Sequence, residues 1–349
     1  MQKLAPPDSC LPLVTIVVFA YNQEHYLREA IQAAFLQTYS PLEILLSDDT
    51  SPDGTFDIMQ AMAAEYKGAH RVILNRNPKN LGIGGHFNHV MNLASGELVV
   101  LAAGDDISVP ERTAVLVEHW LANGKPSGMS SSGLLMNDAG KFFHESSGWG
   151  PLLNRTVPDW SLELVKQLSP SDLLRHNFFL LGAAACWAKQ TWALFGDLKP
   201  GVGNEDLVMS IRACFHRGIA VIEQPLVHYR HRYLDQPPDY LELERRLPKI
   251  HAALVLAIEN IWDDGRKAHA LGLLNDGGLK RLENESLEKI KNLQLRANWW
   301  QLGFLEKVSH SFHNPFQENI LFRIFGLLSI SQYAAIRSFL AKFKRLVRL

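Results

Sequence analysis

Through the first hundred residues, short β-branched runs alternate with segments whose apolar residues recur every three or four positions. Residues 14–19 (VTIVVF), bounded by Pro12 and by Tyr21-Asn22, predict a buried strand. Tyr26, Leu27, Ala30, Ile31, Ala34 and Phe35 then fall at helical spacing within residues 24–38. Residues 43–47 predict a second strand ending at Asp48-Asp49. Ser51-Pro52-Asp53-Gly54 is turn chemistry, and residues 55–66 read as a helix. A third strand is expected over 71–75, a loop over 80–85, a helix through Ala94, and a fourth strand over 98–102 that ends at Gly104-Asp105-Asp106.

This alternation predicts an α/β fold, a doubly wound and mostly parallel sheet with helices on both faces. Ligands of such sheets bind beyond the carboxyl ends of the strands. Tyr21, Asp48, Asp49, Asp105 and Asp106 all sit at those ends. Farther on, 180–187 reads as a strand, Asn204-Glu205-Asp206 opens an apolar-faced helix over 202–217, and 219–227 is a last strand closed by His228-Tyr-Arg-His-Arg232. From Pro237 the pattern changes to long helices with charged faces. A boundary near 236 is therefore expected, with a catalytic unit over 1–236 and a helical C-terminal region over 237–349.

Composition narrows the class. With 349 residues, 47% hydrophobic and 20% charged, collagen-like, disulfide-scaffold and wholly disordered chains are excluded. The net charge of −1 gives no argument for nucleic acid, but it hides an asymmetry. Residues 1–240 hold 18 Lys and Arg against 25 Asp and Glu, and residues 241–349 hold 17 against 11. Cys10, Cys186 and Cys214 are odd in number and widely spaced, as expected of reduced thiols. The run 11–20 lacks a basic leader and a small-residue cleavage site, so the expected location is cytoplasmic.

Each candidate site has a structural counterpart. Asp105-Asp106 after a glycine suits Mg²⁺ or Mn²⁺, and equally a helix cap before Pro110-Glu111. Asp48-Asp49 suits the imide N–H of a pyrimidine stacked on Tyr21, and equally a turn. Glu205 or Asp206 suits a general base, and equally a helix cap. His228 and His231, beside Arg230 and Arg232, suit a metal or a phosphate, and equally a surface. The loop Asn80-Leu-Gly-Ile-Gly-Gly lacks the Lys-Ser/Thr of a P-loop.

Order and spacing carry more than any single motif. The stretch 14–22 (VTIVVFAYN), Gln37-Thr-Tyr, 43–51 (EILLSDDTS) with Asp53 and Thr55, Asn80-x-Gly with Asn88, Ala94-Ser-Gly-Glu, Gly104-Asp-Asp with Pro110, and Asn204-Glu-Asp together resemble family 2 glycosyltransferases. The resemblance covers residues 12 to about 232 and is closest to bacterial cell-surface polysaccharide enzymes. It implies a GT-A fold and an inverting, metal-dependent transfer of a sugar from a UDP- or dTDP-linked donor to a hydroxyl of a glycan or lipid-linked acceptor. By position it implies that Phe19, Tyr21, Asp48, Asp49 and Asp105 contact the nucleotide and that Asp105 and Asp106 hold Mg²⁺ or Mn²⁺. It implies Asp206 as general base, with Glu205 as the second candidate.

Departures exist. Ala103 stands where the first Asp of the usual Asp-x-Asp-Asp would be, and Phe19-Ala20 replaces the usual small polar pair. The basic, apolar segment 315–349 suggests a helix on an anionic membrane surface, or a contact with a second subunit. Two other function classes fit the layout: a sugar-1-phosphate nucleotidyltransferase, and an inactive transferase-like scaffold in a glycan assembly complex. The first would need a Gly-rich basic loop where 20–24 reads Ala-Tyr-Asn-Gln-Glu.

Overall fold

The computed structural model describes residues 11–142, 168–176, 178–231 and 240–298. Cys10, Arg232 and the basic segment 315–349 lie outside them. Eight strands form one sheet in the order β3-β2-β1-β4-β7-β6-β8-β5. Strands β1 (Val14–Ala20), β2 (Leu42–Asp48), β3 (Arg71–Arg76) and β4 (Leu98–Ala103) are parallel neighbours. Strand β7 (Ala185–Ala188) runs antiparallel to β4 and to β6 (Gly128–Met136). Strand β8 (Ile219–Arg230) returns parallel to β6, and the short β5 (Ile107–Ser108) closes its far edge. The sheet is thus mostly parallel with antiparallel insertions.

Why β1, β2 and β4 are largely apolar follows from their two faces, whereas β3 at the sheet edge is only partly buried. Val17, Leu45, Val99 and Leu101 pack on one side, against α3 (Gly82–Leu93). Val14, Ile16, Val18, Ile44 and Leu46 pack on the other, against α1 (Leu27–Phe35), α2 (Thr55–Glu65) and α4 (Arg112–Ala122). Burial on both faces removes the alternation that a half-exposed strand shows. Glu43 is a buried exception. Its carboxylate accepts Thr15 Oγ1 (2.9 Å), the Ser95 N–H (2.9 Å) and Arg71 Nη1 (3.1 Å), so it ties three neighbouring strands together.

The rear half differs from the sequence expectation. Of 180–187 only the last three residues are strand, in β7 (Ala185–Ala188); Gly182–Ala184 is a tight 3₁₀ turn. The sequence pattern does not predict strand β6, and α4 is the helix that the capping alternative for Asp105-Asp106 placed after Pro110-Glu111. Ser130, Ser131 and Ser132 are buried in the sheet, so no apolar period marks β6. Helix α3 begins at Gly82, inside the expected loop, because Asp49 accepts the Leu81 and Gly82 N–H groups at its N-terminus.

Helices α5 (Pro170–His176), α6 (Lys189–Phe195) and α7 (Glu205–His216) cover the rear sheet, and α8 (Tyr240–Ala270) and α9 (Asp276–Asn298) pack onto them. Ala257, Ile258, Ile261, Ala268 and Leu282 share the same apolar cluster as Val17 and Trp187. A buried ion pair fixes α8: Arg212 donates to Asp264 from Nε (2.7 Å) and from Nη2 (3.1 Å), and Asn260 Nδ2 donates to the same carboxylate. Asp264→Asn would leave the Arg212 charge buried without its partner. It is expected to cost about 2 kcal/mol in urea denaturation. None of the described helices is long and apolar enough to cross a membrane.

Candidate functional site

Parallel β1, β2, β4, β6 and β8 bring their carboxyl ends to one edge, and antiparallel β7 brings its preceding turn there too. The edge is built from loops that brace one another. Loop 21–24 is strapped to loop 51–55: the Asn22 N–H donates to Ser51 Oγ (2.9 Å), Gln23 N–H to Thr55 Oγ1 (2.9 Å) and Glu24 N–H to Asp53 Oδ2 (3.1 Å). Glu24 Oε2 accepts the Gly54 N–H in return (2.7 Å). Asn22 and Thr50 both take left-handed φ values, 56° and 62°. The straps hold those strained turns, and Tyr21 between them stays half exposed.

Asp48 and Asp49 are both buried. Asp48 accepts the Ser51 N–H and hydroxyl and pairs with Arg76 Nε (3.3 Å), so it folds the turn. Asp49 Oδ1 accepts Asn77 Nδ2 (2.7 Å) and the Leu81 N–H (2.8 Å); Oδ2 accepts the Gly82 N–H (3.0 Å). Phe19 lies edge-on to His86, with ring centroids 4.8 Å apart. His86 itself contacts Ser47 Oγ (2.7 Å), and burial lowers its pKa to about 4. It is neutral at pH 7.

Asp105 and Asp106 sit just beyond β4. The Arg230 N–H donates to Asp106 Oδ1 (2.8 Å), and Arg230 Nε donates to the Asp105 carbonyl (2.9 Å). Arg230 also reaches the Asn137 and Asp138 carbonyls and Glu29, with its guanidinium over the Tyr26 ring. These contacts make Arg230 a clamp on the acidic loop. Asp106 Oδ2 is buried with no hydrogen-bond partner, and burial together with Asp105 pushes the Asp106 carboxyl up to about 8. A buried, unpartnered carboxylate oxygen beside a second carboxylate fits a hard divalent cation such as Mg²⁺ or Mn²⁺. Among the described residues, no group of three or more His, Cys, Asp and Glu side chains converges to form a metal cage.

Glycines shape this loop. A Cβ at Gly104 would stand 2.4 Å from Gln23 Oε1, and one at Gly182 would stand 3.2 Å from Glu205 Oε1. The Gly182 N–H donates to the Asp206 carboxylate, and the Leu207 N–H donates to Asp206 Oδ1 (2.8 Å). Burial raises Asp206 to about 6. Glu205, more deeply buried and beside Asp206, is pushed well above the usual carboxylate range. At pH 7 Asp206 is therefore ionised, whereas burial and the neighbouring Asp206 both disfavour the charged form of Glu205. Tyr229 lies within electrostatic reach of Asp105, Asp106 and Asp206, which with burial push its phenol up to about 12. His228, half-buried, meets Phe142 edge-on at 4.7 Å.

A match to the family model described as glycosyl transferase family 2 spans residues 15–130. Over that third of the chain, the sequence is similar to family 2 glycosyltransferases. EpsE of Bacillus subtilis, which bears a glycosyltransferase name, is 36% identical over 101 residues, 29% of this chain and 36% of that protein. The chain thus spans about a third of the length of that relative. Among solved structures, residues 1–349 of S. aureus TarS in complex with UDP superpose with a TM-score of 0.53 at 14% identity, covering 87% of this chain and 76% of that one. The mannosyltransferase PcManGT of Pyrobaculum calidifontis, in complex with GDP-Man and Mn²⁺, gives 0.53 at 16% identity, covering 94% and 88%. These likenesses show a GT-A-like fold with C-terminal helices.

Several of the motif residues are buttresses. Gln37 donates to the Ala33 and Val109 carbonyls and accepts the Thr113 N–H and hydroxyl, bracing the segment after Asp106. Asn88 exchanges two hydrogen bonds with Leu198, fixing the segment that leads to Glu205. The sequence reading missed Arg112, Gly182 and the bracing role of Arg230. A cation in the first turn of a helix, against its dipole, was the available signal for Arg112.

Proposed function

We propose that this chain transfers a sugar from a nucleoside-diphosphate donor to a hydroxyl group, with inversion, in surface polysaccharide synthesis. The observation that supports it most is the ionised Asp206 sharing one strand-end edge, around Tyr229, with the Asp105-Asp106 loop. The acceptor oxygen attacks the anomeric carbon, and its proton passes to Asp206. The bond from that carbon to the diphosphate oxygen breaks, and its electron pair stays on the diphosphate. A general base is most effective when its pKa lies near the working pH, which suits Asp206, while burial disfavours the charged form of Glu205. Asp105 and Asp106 would hold Mg²⁺ or Mn²⁺, which when bound neutralises charge developing on the leaving diphosphate.

Tyr21 is exposed enough to stack on the base. Asp49 Oδ2 accepts one N–H, and its second lone pair would accept an imide N–H of uracil or thymine. The complexes of TarS with UDP and of PcManGT with GDP-Man and Mn²⁺ support a nucleotide donor and a divalent ion. The acceptor is a glycan or a lipid-linked hydroxyl, and residues 237–349 are its link to a membrane surface or a second copy of the chain.

Calorimetric titration of UDP, dTDP and GDP, with and without Mn²⁺, tests the donor half. UDP or dTDP is expected to bind only when Mn²⁺ is present. Tyr21→Ala should then weaken binding by about tenfold, the size of one aromatic stack. Folded protein that binds none of the three would leave the scaffold reading standing instead.

A further inference from the structure

We infer that Arg112 is a positioning residue, which ties the Asp105-Asp106 loop to the turn that holds Asp206 and so sets the spacing between the two ends of the transfer site. Its consequence for catalysis rests on the transfer reading above; its geometry does not. Arg112 opens α4 and is wholly buried. Nη1 donates to Ser108 Oγ (2.9 Å), two residues beyond Asp106. From the same guanidinium, Nη2 donates to the Ala183 carbonyl (3.1 Å). Ala183 lies in the Gly182–Ala184 turn, whose Gly182 N–H donates to the Asp206 carboxylate. A single rigid plane therefore joins the segment after the acidic loop to the turn beneath the base.

Local needs do not explain an arginine here. A cation in the first turn opposes the helix dipole, and Arg112 Nε has no hydrogen-bond partner. Burying a guanidinium is expensive unless its charge is used. Here its field reaches Asp106 and the Cys186 thiol. The planar fork offers donors in fixed directions, whereas the ammonium of lysine offers one movable point charge. Displacements of about 1 Å at a transfer site can cost a hundredfold in rate, so a strut of this kind acts on turnover more than on donor affinity.

Two variants and two readouts test the strut. In Arg112→Lys, amide hydrogen exchange of residues 181–184 should accelerate at least tenfold while β1 and β2 keep wild-type protection. The kcat for sugar transfer should fall at least tenfold, with the Kd for UDP and Mn²⁺ within threefold of wild type. Ser108→Ala removes one of the two bonds with little volume change and should shift both readouts in the same direction, by less. It decides the matter if the lysine variant fails to fold. Unchanged exchange at 181–184 in folded variants overturns the inference, as does unchanged kcat. Exchange that accelerates uniformly across the sheet, with kcat and affinity falling together, also overturns it and makes Arg112 a stability residue. A wild-type protein that transfers no sugar defeats the proposed function instead, and the exchange readout alone then decides the tie.

Discussion

Asp206→Asn is expected to lower kcat for sugar transfer by about 10³-fold while leaving UDP affinity near wild type, the usual reach of a positioned general base. The side chain sits in the first turn of α7, and its Oδ1 accepts the Leu207 N–H, a bond that an asparagine carbonyl keeps. The variant therefore removes the proton acceptor and keeps the shape. Because burial raises Asp206 to about 6, activity should fall as pH drops through that value and be full above it. Stability should run the other way. A carboxyl raised above its unfolded value of 3.8 favours the folded state only when protonated, so its ionisation destabilises the fold above about pH 6. Asp206→Asn should accordingly unfold at higher urea than wild type at pH 7.5, by a margin that closes toward pH 4. A pH-rate profile and paired denaturation curves measure both. Transfer that survives in Asp206→Asn and disappears in Glu205→Gln would move the base to Glu205.

That pairing of lost rate with gained stability marks where sequence patterns stop being informative. The front of the sheet was legible because burial on both faces forces continuous apolar runs in β1, β2 and β4, and each of the first four strands ended within about a residue of its expected position. Strand β6 was not legible, since Ser130, Ser131 and Ser132 are buried by tertiary contacts that no local period records. The acidic pairs were visible as residues but not as environments. Asp48 and Asp49 look alike in the chain, yet one folds a turn with Ser51 and Arg76 and the other caps α3. Glu205 and Asp206 are also neighbours, yet burial and the adjacent carboxylate push Glu205 well above its usual range while Asp206 stays near 6. Gln37 and Asn88 read as parts of a site signature, and both turn out to brace loops. Arg112 carried no motif at all.

Asp105→Ala is expected to abolish the Mn²⁺-dependent part of UDP binding, a loss of about 100-fold or near 3 kcal/mol. Two carboxylates suffice where a diphosphate completes the shell, because Mg²⁺ and Mn²⁺ commonly take one or two protein carboxylates together with phosphate oxygens and water. Asp106 is the better controlled member of the pair. Its Oδ1 is fixed by the Arg230 N–H, and its unpartnered Oδ2 is the oxygen left for a cation. Asp106→Asn keeps the first contact through its carbonyl and puts an amide where the cation needs an anionic oxygen. It should therefore fold like wild type and lose Mn²⁺ affinity by a similar factor. Manganese titration followed by electron paramagnetic resonance reads this without any sugar donor, so a failure of nucleotide binding cannot masquerade as a failure of the metal site. Wild-type Mn²⁺ and UDP affinities in both variants would refute the assignment of the ion to this loop. The Ala103 departure sharpens the test: with no carboxylate at that position to substitute, the loss in Asp105→Ala has no local rescue.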